Sequence, residues 1–255
     1  MAPDNHVPAT PHPPRTLRIA VIIPALNEAG NIGDLVVETL AQPALGPAGR
    51  VIVVDNGSTD GTAAAAQAAG AQVVAEPRRG YGYACAAGVH AAAGVDVIVF
   101  LDGDHSSRPS ELAQVLEPLH HDEADLVLGS RTRGHIAPGA MPSHQRFGNW
   151  LTSGLMRRLY GVDVTDLGPY RAIRADLLAS LEMREMTYGW PTEMMVKAAR
   201  RRARVVEVPV SFLPRRSGRS KVSGTLRGSV LAAYYILGVT LRYAWGTTSA
   251  TDERR

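Results

Sequence analysis

With 255 residues, 45% of them hydrophobic and 20% charged, the chain is long enough for one large α/β domain with a substantial core. A single cysteine, Cys85, excludes an intramolecular disulfide framework and fits a reducing cytoplasm, and no stretch reaches the roughly 18 apolar residues of a membrane span. The formal charge of +3 is unevenly placed: ten basic residues and one acid, Glu207, lie between Lys197 and Arg227, a local balance of +9 that leaves −6 for the remainder. Such a cation-rich end is either a solvated basic face or a surface for anionic lipid, a phosphorylated molecule or nucleic acid.

The opening residues, MAPDNHVPATPHPPR, are rich in proline and lack an apolar h-region, so residues 1–16 are expected to be a disordered leader rather than a signal peptide. Leu17 to Ile23 is an apolar run broken by Pro24 and reads as a strand. Ile32 to Ala41 has helical spacing, Val51 to Val54 is a short buried strand, and Thr62 to Ala69 is an alanine-rich helix closed by Gly70. A strand over Ala71 to Val74, a helix over Tyr81 to Ala93, a strand over Val97 to Leu101, a helix started by Pro109 and a strand over Asp125 to Leu128 follow. This alternation predicts a mostly parallel sheet with helices on both faces. After Gly129 the rhythm changes, and GSRTRGHIAPGAMP reads as a Gly/Pro-rich loop. Then come a helix near Gln145 to Tyr160, a short strand near Tyr170 to Ile173, a helix from Thr192, a strand over Val205 to Phe212, a basic loop and a final helix near Thr225 to Tyr243. With no internal repeat and no dense hinge, the expected organisation is one domain over 17–222, a C-terminal helix over 223–246 and a tail over 247–255.

Three carboxylates stand at predicted strand ends: Asp55 in VIVVDNGSTDGT, and Asp102 and Asp104 in VIVFLDGDHS. In an open α/β sheet that is where ligands bind. Gly103 lets the backbone turn tightly between its two aspartates, so that their oxygens can reach a hard cation, Mg²⁺ or Mn²⁺, bridging two phosphates. Such a cation neutralises a diphosphate leaving group as a glycosidic bond breaks. An isolated D-x-D is also a common turn or solvated pair. Likewise, Ser58, Thr59 and Asp60 read as a turn and helix cap, while Asp55 reads as a carboxylate for the donor groups of a base or ribose.

Seven segments, IIPALNEAGNI, VDNGSTDGT, RGYGYACAAG, LDGDHSSRPSEL, LVLGSR, DLGPYRAIR and RRSGRSK, fall in the order of the motifs of family-2 glycosyltransferases. Over roughly residues 17 to 240 the chain resembles the polyprenyl-phosphate (dolichyl-phosphate) mannose synthase branch of that family. The resemblance implies a GT-A fold with a mostly parallel central sheet, helices on both faces and an amphipathic C-terminal helix. It implies that Pro24, Asn27, Glu28, Asp55, Asp102 and Gly80 bind a UDP- or GDP-linked sugar, and that Asp102 and Asp104 hold Mg²⁺ or Mn²⁺. It places Arg131 near an acceptor phosphate, puts Arg215 and Lys221 in an R-x-x-G-x-S-K element that closes over the site, and sets Arg146 in the acceptor-loop region. One departure stands out: relatives usually read D-A-D-L-Q, whereas here the Gln position is Ser106, which puts the third protein ligand of the metal and mannose as the sugar in question.

The basic cluster carries a mechanism of its own. A phosphate monoester is already ionised near neutral pH and needs positioning and charge compensation more than a general base. Arg131, Arg146, Arg215 and Lys221 can hold it in line behind the anomeric carbon, which predicts inversion and a sugar-phosphate product. A hydroxyl acceptor would instead need a carboxylate to take its proton, and Asp166 and Glu193 are the candidates, against readings as a helix cap and a surface helix position. The last helix, SVLAAYYILGVTLRYAWG, reads equally as packed on its domain or lying at a membrane interface, and its apolar face is also open to a second chain. Such contact would be peripheral, at the inner face of the membrane.

Gly80 and Gly82 imitate a dinucleotide fingerprint, but Cys85 stands at the third glycine position. Cys85 reads as a small helix-packing residue, and His120 and His121 as surface residues at a helix end. The expected activity is a metal-dependent, inverting hexosyltransferase acting on a polyprenyl phosphate. Alternatives are the same chemistry on a soluble small-molecule acceptor and a non-catalytic sugar-nucleotide binding module. Nucleic acid is set aside, because the basic end lacks interleaved aromatic residues and any helix-turn-helix or zinc pattern.

Overall fold

A computed structural model describes residues 17–217 and 226–245. The expected leader and tail and Lys221 lie outside these residues. Seven strands form one sheet: β1 (Ile19–Ala25), β2 (Arg50–Asp55), β3 (Gln72–Ala75), β4 (Val97–Phe100), β5 (Leu126–Ile136), β6 (Arg171–Arg174) and β7 (Val205–Phe212). Their order is β3-β2-β1-β4-β6-β5-β7. Strand β6 runs antiparallel to β4 and β5, and the other pairings are parallel. The helices are α1 (Ala29–Leu40), α2 (Thr62–Ala68), α3 (Tyr81–Ala91), α4 (Leu112–His120), α5 (Ser143–Tyr160), α6 (Ala175–Ser180), α7 (Trp190–Arg200) and α8 (Leu226–Trp245).

Strands β1 and β4 are apolar at every position because both faces of the sheet are covered, and alternate residues serve different cores. Ile19, Val21, Ile23, Val51, Val53, Val97 and Val99 pack with Ile32, Leu35 and Val36 of α1 and Leu112, Val115 and Leu116 of α4. Ala20, Ile22, Ile52, Val54, Ile98 and Phe100 pack on the other side with Ala84 and Cys85 of α3, Met156 of α5, and Trp190, Met194 and Met195 of α7. Gly88 brings α3 close to the sheet, since a Cβ there would lie 2.4 Å from Ile22 Cγ2. Cys85 is wholly buried as a packing residue.

Two elements depart from the sequence reading. The segment after Gly129 is not a loop: β5 continues to Ile136, pairing with β7 through His135 and Ser211 and through Ile136 and Phe212 after an irregularity beyond Ser130. Its Gly134 marks a close approach, because a Cβ there would lie 2.1 Å from the Val210 carbonyl oxygen. The short helix α6 also escaped the periodicity. Helix α8 packs on α5 and α7, burying Val239 and Thr240, while Tyr234 stays 71% exposed. Among the described residues no helix is long and apolar enough to cross a membrane.

Candidate active site

Strand β1 is flanked by β2 on one side and β4 on the other, so chain direction out of β1 divides and a crevice opens beyond the C-terminal strand ends. The loop after β1 carries Asn27 in the left-handed region, at φ 52°. That turn aims its backbone N–H at Ser58 Oγ, 2.9 Å away, and lets its side-chain carbonyl accept the Thr59 N–H at 2.8 Å. Asp55 ends β2 and accepts the Ser58 N–H at 3.0 Å. Asp60, one residue ahead of the Gly61 N-cap of α2, accepts the Thr62 N–H at 3.0 Å. Arg79 lies beside Gly57, whose Cβ position is 3.3 Å from Arg79 Nε.

Asn56, which sequence reasoning passed over, ties this loop to the next. Its side-chain NH₂ donates to the carbonyls of Glu76 (3.0 Å) and Arg78 (2.7 Å), and its oxygen accepts the Gly80 N–H at 3.0 Å. Gly80 then starts α3, with a φ of 152° and no room for a side chain: a Cβ would lie 2.4 Å from the Met186 carbonyl oxygen. The first residue of α3, Tyr81, donates its hydroxyl to Asp102 Oδ1 at 3.1 Å.

Asp102 and Asp104 follow β4 with Gly103 pressed against β1, where a Cβ would sit 3.1 Å from the Pro24 carbonyl oxygen. Burial and the neighbouring Asp104 charge push the Asp102 carboxyl up to about 7, against the opposing effects of Tyr81, Arg131 and Arg171. Asp104 accepts the Ser106 N–H at 3.0 Å and faces Arg215 Nη1 at 3.3 Å. Arg215 also donates to Glu28, so its guanidinium bridges two site carboxylates. Ser106 itself is buried, and its carbonyl accepts the Leu213 N–H at 2.8 Å.

Among the described residues no three His, Cys, Asp or Glu side chains gather into a metal cage. The oxygen-only pair Asp102 and Asp104 nevertheless fits a hard divalent cation that draws its remaining ligands from phosphates and water.

On the other side of β4, Arg131 of β5 meets Asp166. Its Nε and Nη2 donate to the two carboxylate oxygens at 2.8 and 2.7 Å, and its backbone N–H donates at 2.7 Å. Asp166 is wholly buried in the segment before β6 and caps no helix, which corrects that reading. The carboxylate of Glu207 holds the same segment: it accepts the N–H groups of Thr165 (2.8 Å) and Asp166 (3.0 Å) and the Thr165 hydroxyl (2.9 Å). The lone acid of the basic stretch is thus a buried organiser of β7. Phe212 stacks under the Arg131 guanidinium at 4.9 Å.

Beside this group opens a cavity of about 450 Å³ lined by Thr132, Ile136, Arg146, Asn149, Trp150, Ser153, Arg157 and Thr165. Arg146 and Arg157 give it positive charge; Trp150 is 69% exposed and stands 5.8 Å from the ring of Phe147. Glu193 lies elsewhere, in the first turn of α7, and is 1% exposed rather than a surface residue. Arg171 of β6 is another residue that sequence reasoning missed. Fully buried between the two sides, it donates to the carbonyls of Pro191 (2.9 Å), Leu167 (3.3 Å) and Gly168.

This sheet order, with carboxylates at the ends of β2 and β4, defines a GT-A fold. The solved structure of glucosyl-3-phosphoglycerate synthase from Mycobacterium tuberculosis, in complex with Mn²⁺, UDP and phosphoglyceric acid, matches it with a TM-score of 0.72 at 24% identity, covering 92% of this chain and 81% of that one. Residues 20–181 match glycosyl transferase family 2, and the chain belongs to that family. It is 40% identical over 215 residues to an uncharacterized glycosyltransferase of M. tuberculosis, covering 84% of this chain and 94% of the relative. It is also 32% identical over 242 residues to the undecaprenyl-phosphate mannosyltransferase of Micrococcus luteus, covering 89% and 96%. The protein is therefore a family-2 glycosyltransferase.

Proposed function

We propose that the protein is a metal-dependent, inverting hexosyltransferase that moves a sugar from a nucleoside diphosphate to a polyprenyl phosphate. One observation carries the choice of acceptor: neither carboxylate that the sequence offers as a base, Asp166 or Glu193, is available for proton transfer. Asp166 is locked in the fork of Arg131, and Glu193 accepts bonds from two backbone N–H groups, Tyr243 and Lys197. A phosphate monoester arrives largely ionised, with a second pKa of about 6, and needs no base. The cavity beside Arg131 combines arginines with apolar surface, and the similarity to an undecaprenyl-phosphate mannosyltransferase points the same way.

In this reading Pro24, Asn27, Glu28, Asp55 and Gly80 shape the nucleotide side, and Asp102 and Asp104 face the diphosphate. A bound Mg²⁺ or Mn²⁺ would supply charge neutralisation for the departing diphosphate. Arg131, with Arg146 at the cavity, orients the acceptor phosphate, while Arg215 links the donor carboxylates to the segment that leads to Lys221. Exposed Phe147 and Trp150 offer a peripheral surface for the lipid. The same chemistry on a soluble phosphorylated acid is the second reading, motivated by the phosphoglyceric acid held in a structure of like fold.

Incubating the protein with radiolabelled UDP- or GDP-hexoses, Mn²⁺ and undecaprenyl phosphate in detergent tests the assignment. Label should enter the organic phase, and Asp104→Ala should abolish it. Transfer that stays in the aqueous phase, to phosphoglyceric acid or another soluble acceptor, would overturn the lipid acceptor.

A further inference from the structure

Glu193 is a buried, densely hydrogen-bonded acid that the donor and acceptor readings leave unused. Its Oε2 accepts the backbone N–H groups of Arg184 at 2.9 Å and Glu185 at 2.7 Å. Its Oε1 accepts the Tyr243 hydroxyl of α8 at 2.6 Å and pairs with Lys197 at 2.9 Å. Burial opposes its ionisation, yet these donors outweigh that cost and hold the carboxyl below the usual range. A single buried anion thus joins α7, α8 and the segment 184–185.

That segment is the seat of α3. The Tyr83 N–H donates to the Met186 carbonyl at 3.3 Å. At Gly80 and Gly82, Cβ atoms would lie 2.4 Å from the Met186 and Glu185 carbonyl oxygens respectively, so backbone rests directly on backbone. A displacement of residues 184–186 has no side chain to absorb it. It passes into the first turn of α3, where Tyr81 holds Asp102 at 3.1 Å.

We propose that Glu193 is a positioning residue for the donor side: it fixes the segment on which α3 is seated and, through Tyr81, sets the carboxylate of Asp102, with Tyr243 making the C-terminal helix part of that support. The inference rests on the reading in which Asp102 faces the metal and diphosphate. It also reassigns Glu193 from acceptor chemistry to donor geometry.

The test is Mn²⁺ binding in the presence of UDP or GDP, followed by calorimetry on the full chain, with melting curves to confirm that each variant is folded. Glu193→Ala should weaken Mn²⁺-nucleotide binding about tenfold, and Tyr243→Phe, which removes one hydroxyl, about threefold, at temperatures where both are fully folded. Tyr243→Phe carries the test alone if Glu193→Ala does not fold. Because Tyr81 and Glu193 act through the same carboxylate, Tyr81→Phe combined with Glu193→Ala should bind no more weakly than the worse single variant. Additive losses in the double variant, or wild-type affinity in folded Glu193→Ala and Tyr243→Phe, would overturn the proposal. Failure of the wild-type protein to bind Mn²⁺ with either nucleotide would instead overturn the donor reading beneath it.

Discussion

Replacing Glu207 by alanine probes the acceptor side at its least conspicuous point. The substitution removes the acceptor of two backbone N–H groups, at Thr165 and Asp166, and of the Thr165 hydroxyl. A buried donor left unpaired costs roughly 1–3 kcal/mol; the Asp166 N–H is buried, whereas Thr165 is exposed and its hydroxyl keeps Ser130 and Thr132 as partners, so the expected loss is about 3 kcal/mol. For a chain of this length, at about 2–4 °C per kcal/mol, Tm should fall by about 10 °C. Asp166 is then no longer held from behind, and the Arg131 fork that depends on it loosens. Steady-state kinetics below the lowered Tm should show acceptor KM rising about tenfold while donor KM stays within about twofold. Glu207→Gln keeps one carbonyl oxygen for both N–H groups and should recover most of the stability. A Tm shift under about 3 °C for Glu207→Ala, or equal losses toward donor and acceptor, would refute the reasoning.

Metal binding should be pH-dependent. The Asp102 carboxyl sits near 7 in the free protein against an ordinary value of 3.8, so its protonated form favours the fold: that stabilisation is complete below the ordinary value and is lost as pH rises through 7. A cation must displace the proton below 7, and the Tm increment given by Mg²⁺ with UDP or GDP should grow between pH 6 and 8; a flat profile would contradict it. Arg171→Leu should lower stability by about 3–5 kcal/mol in urea unfolding, because it strips the carbonyls of Pro191, Leu167 and Gly168 of a buried donor. Arg171→Lys should rescue little, since one ammonium cannot span carbonyls on opposite sides.

The β1–β4 half of the fold was legible in the sequence because its signals are local. Parallel strands buried on both faces read as unbroken apolar runs, and their polar C-terminal residues announce a ligand site. Gly103 and Asn27 are set by backbone turns within a few residues. The half around β5 and β7 was less legible, since its residues are defined by partners far along the chain. Asp166 and Glu207 stand 41 residues apart, and neither betrays the other. Glu193 carries a helix-surface spacing yet is buried under α8, which no pattern local to α7 reveals. Gly134 misled in a specific way: a glycine needed for close approach to β7 looks the same in sequence as a glycine in a loop.

The position of β7 has a consequence for how the molecule comes into being. Strands β1 to β4 and their carboxylates lie in the first half of the chain and can pair as they leave the ribosome. Arg131 and Asp166 are synthesised next, but the strand that flanks β5 and brings Glu207 to them arrives only after residue 204. A nascent chain that stops short of β7 therefore carries Asp55, Asp102 and Asp104 beside an open sheet edge and an Arg131 whose partner Asp166 is not yet braced by Glu207. Arg215, which joins Glu28 and Asp104, comes later still, so an interruption before β7 would leave the Arg131–Asp166 pair without Glu207 behind it and the two carboxylates without the guanidinium that links them.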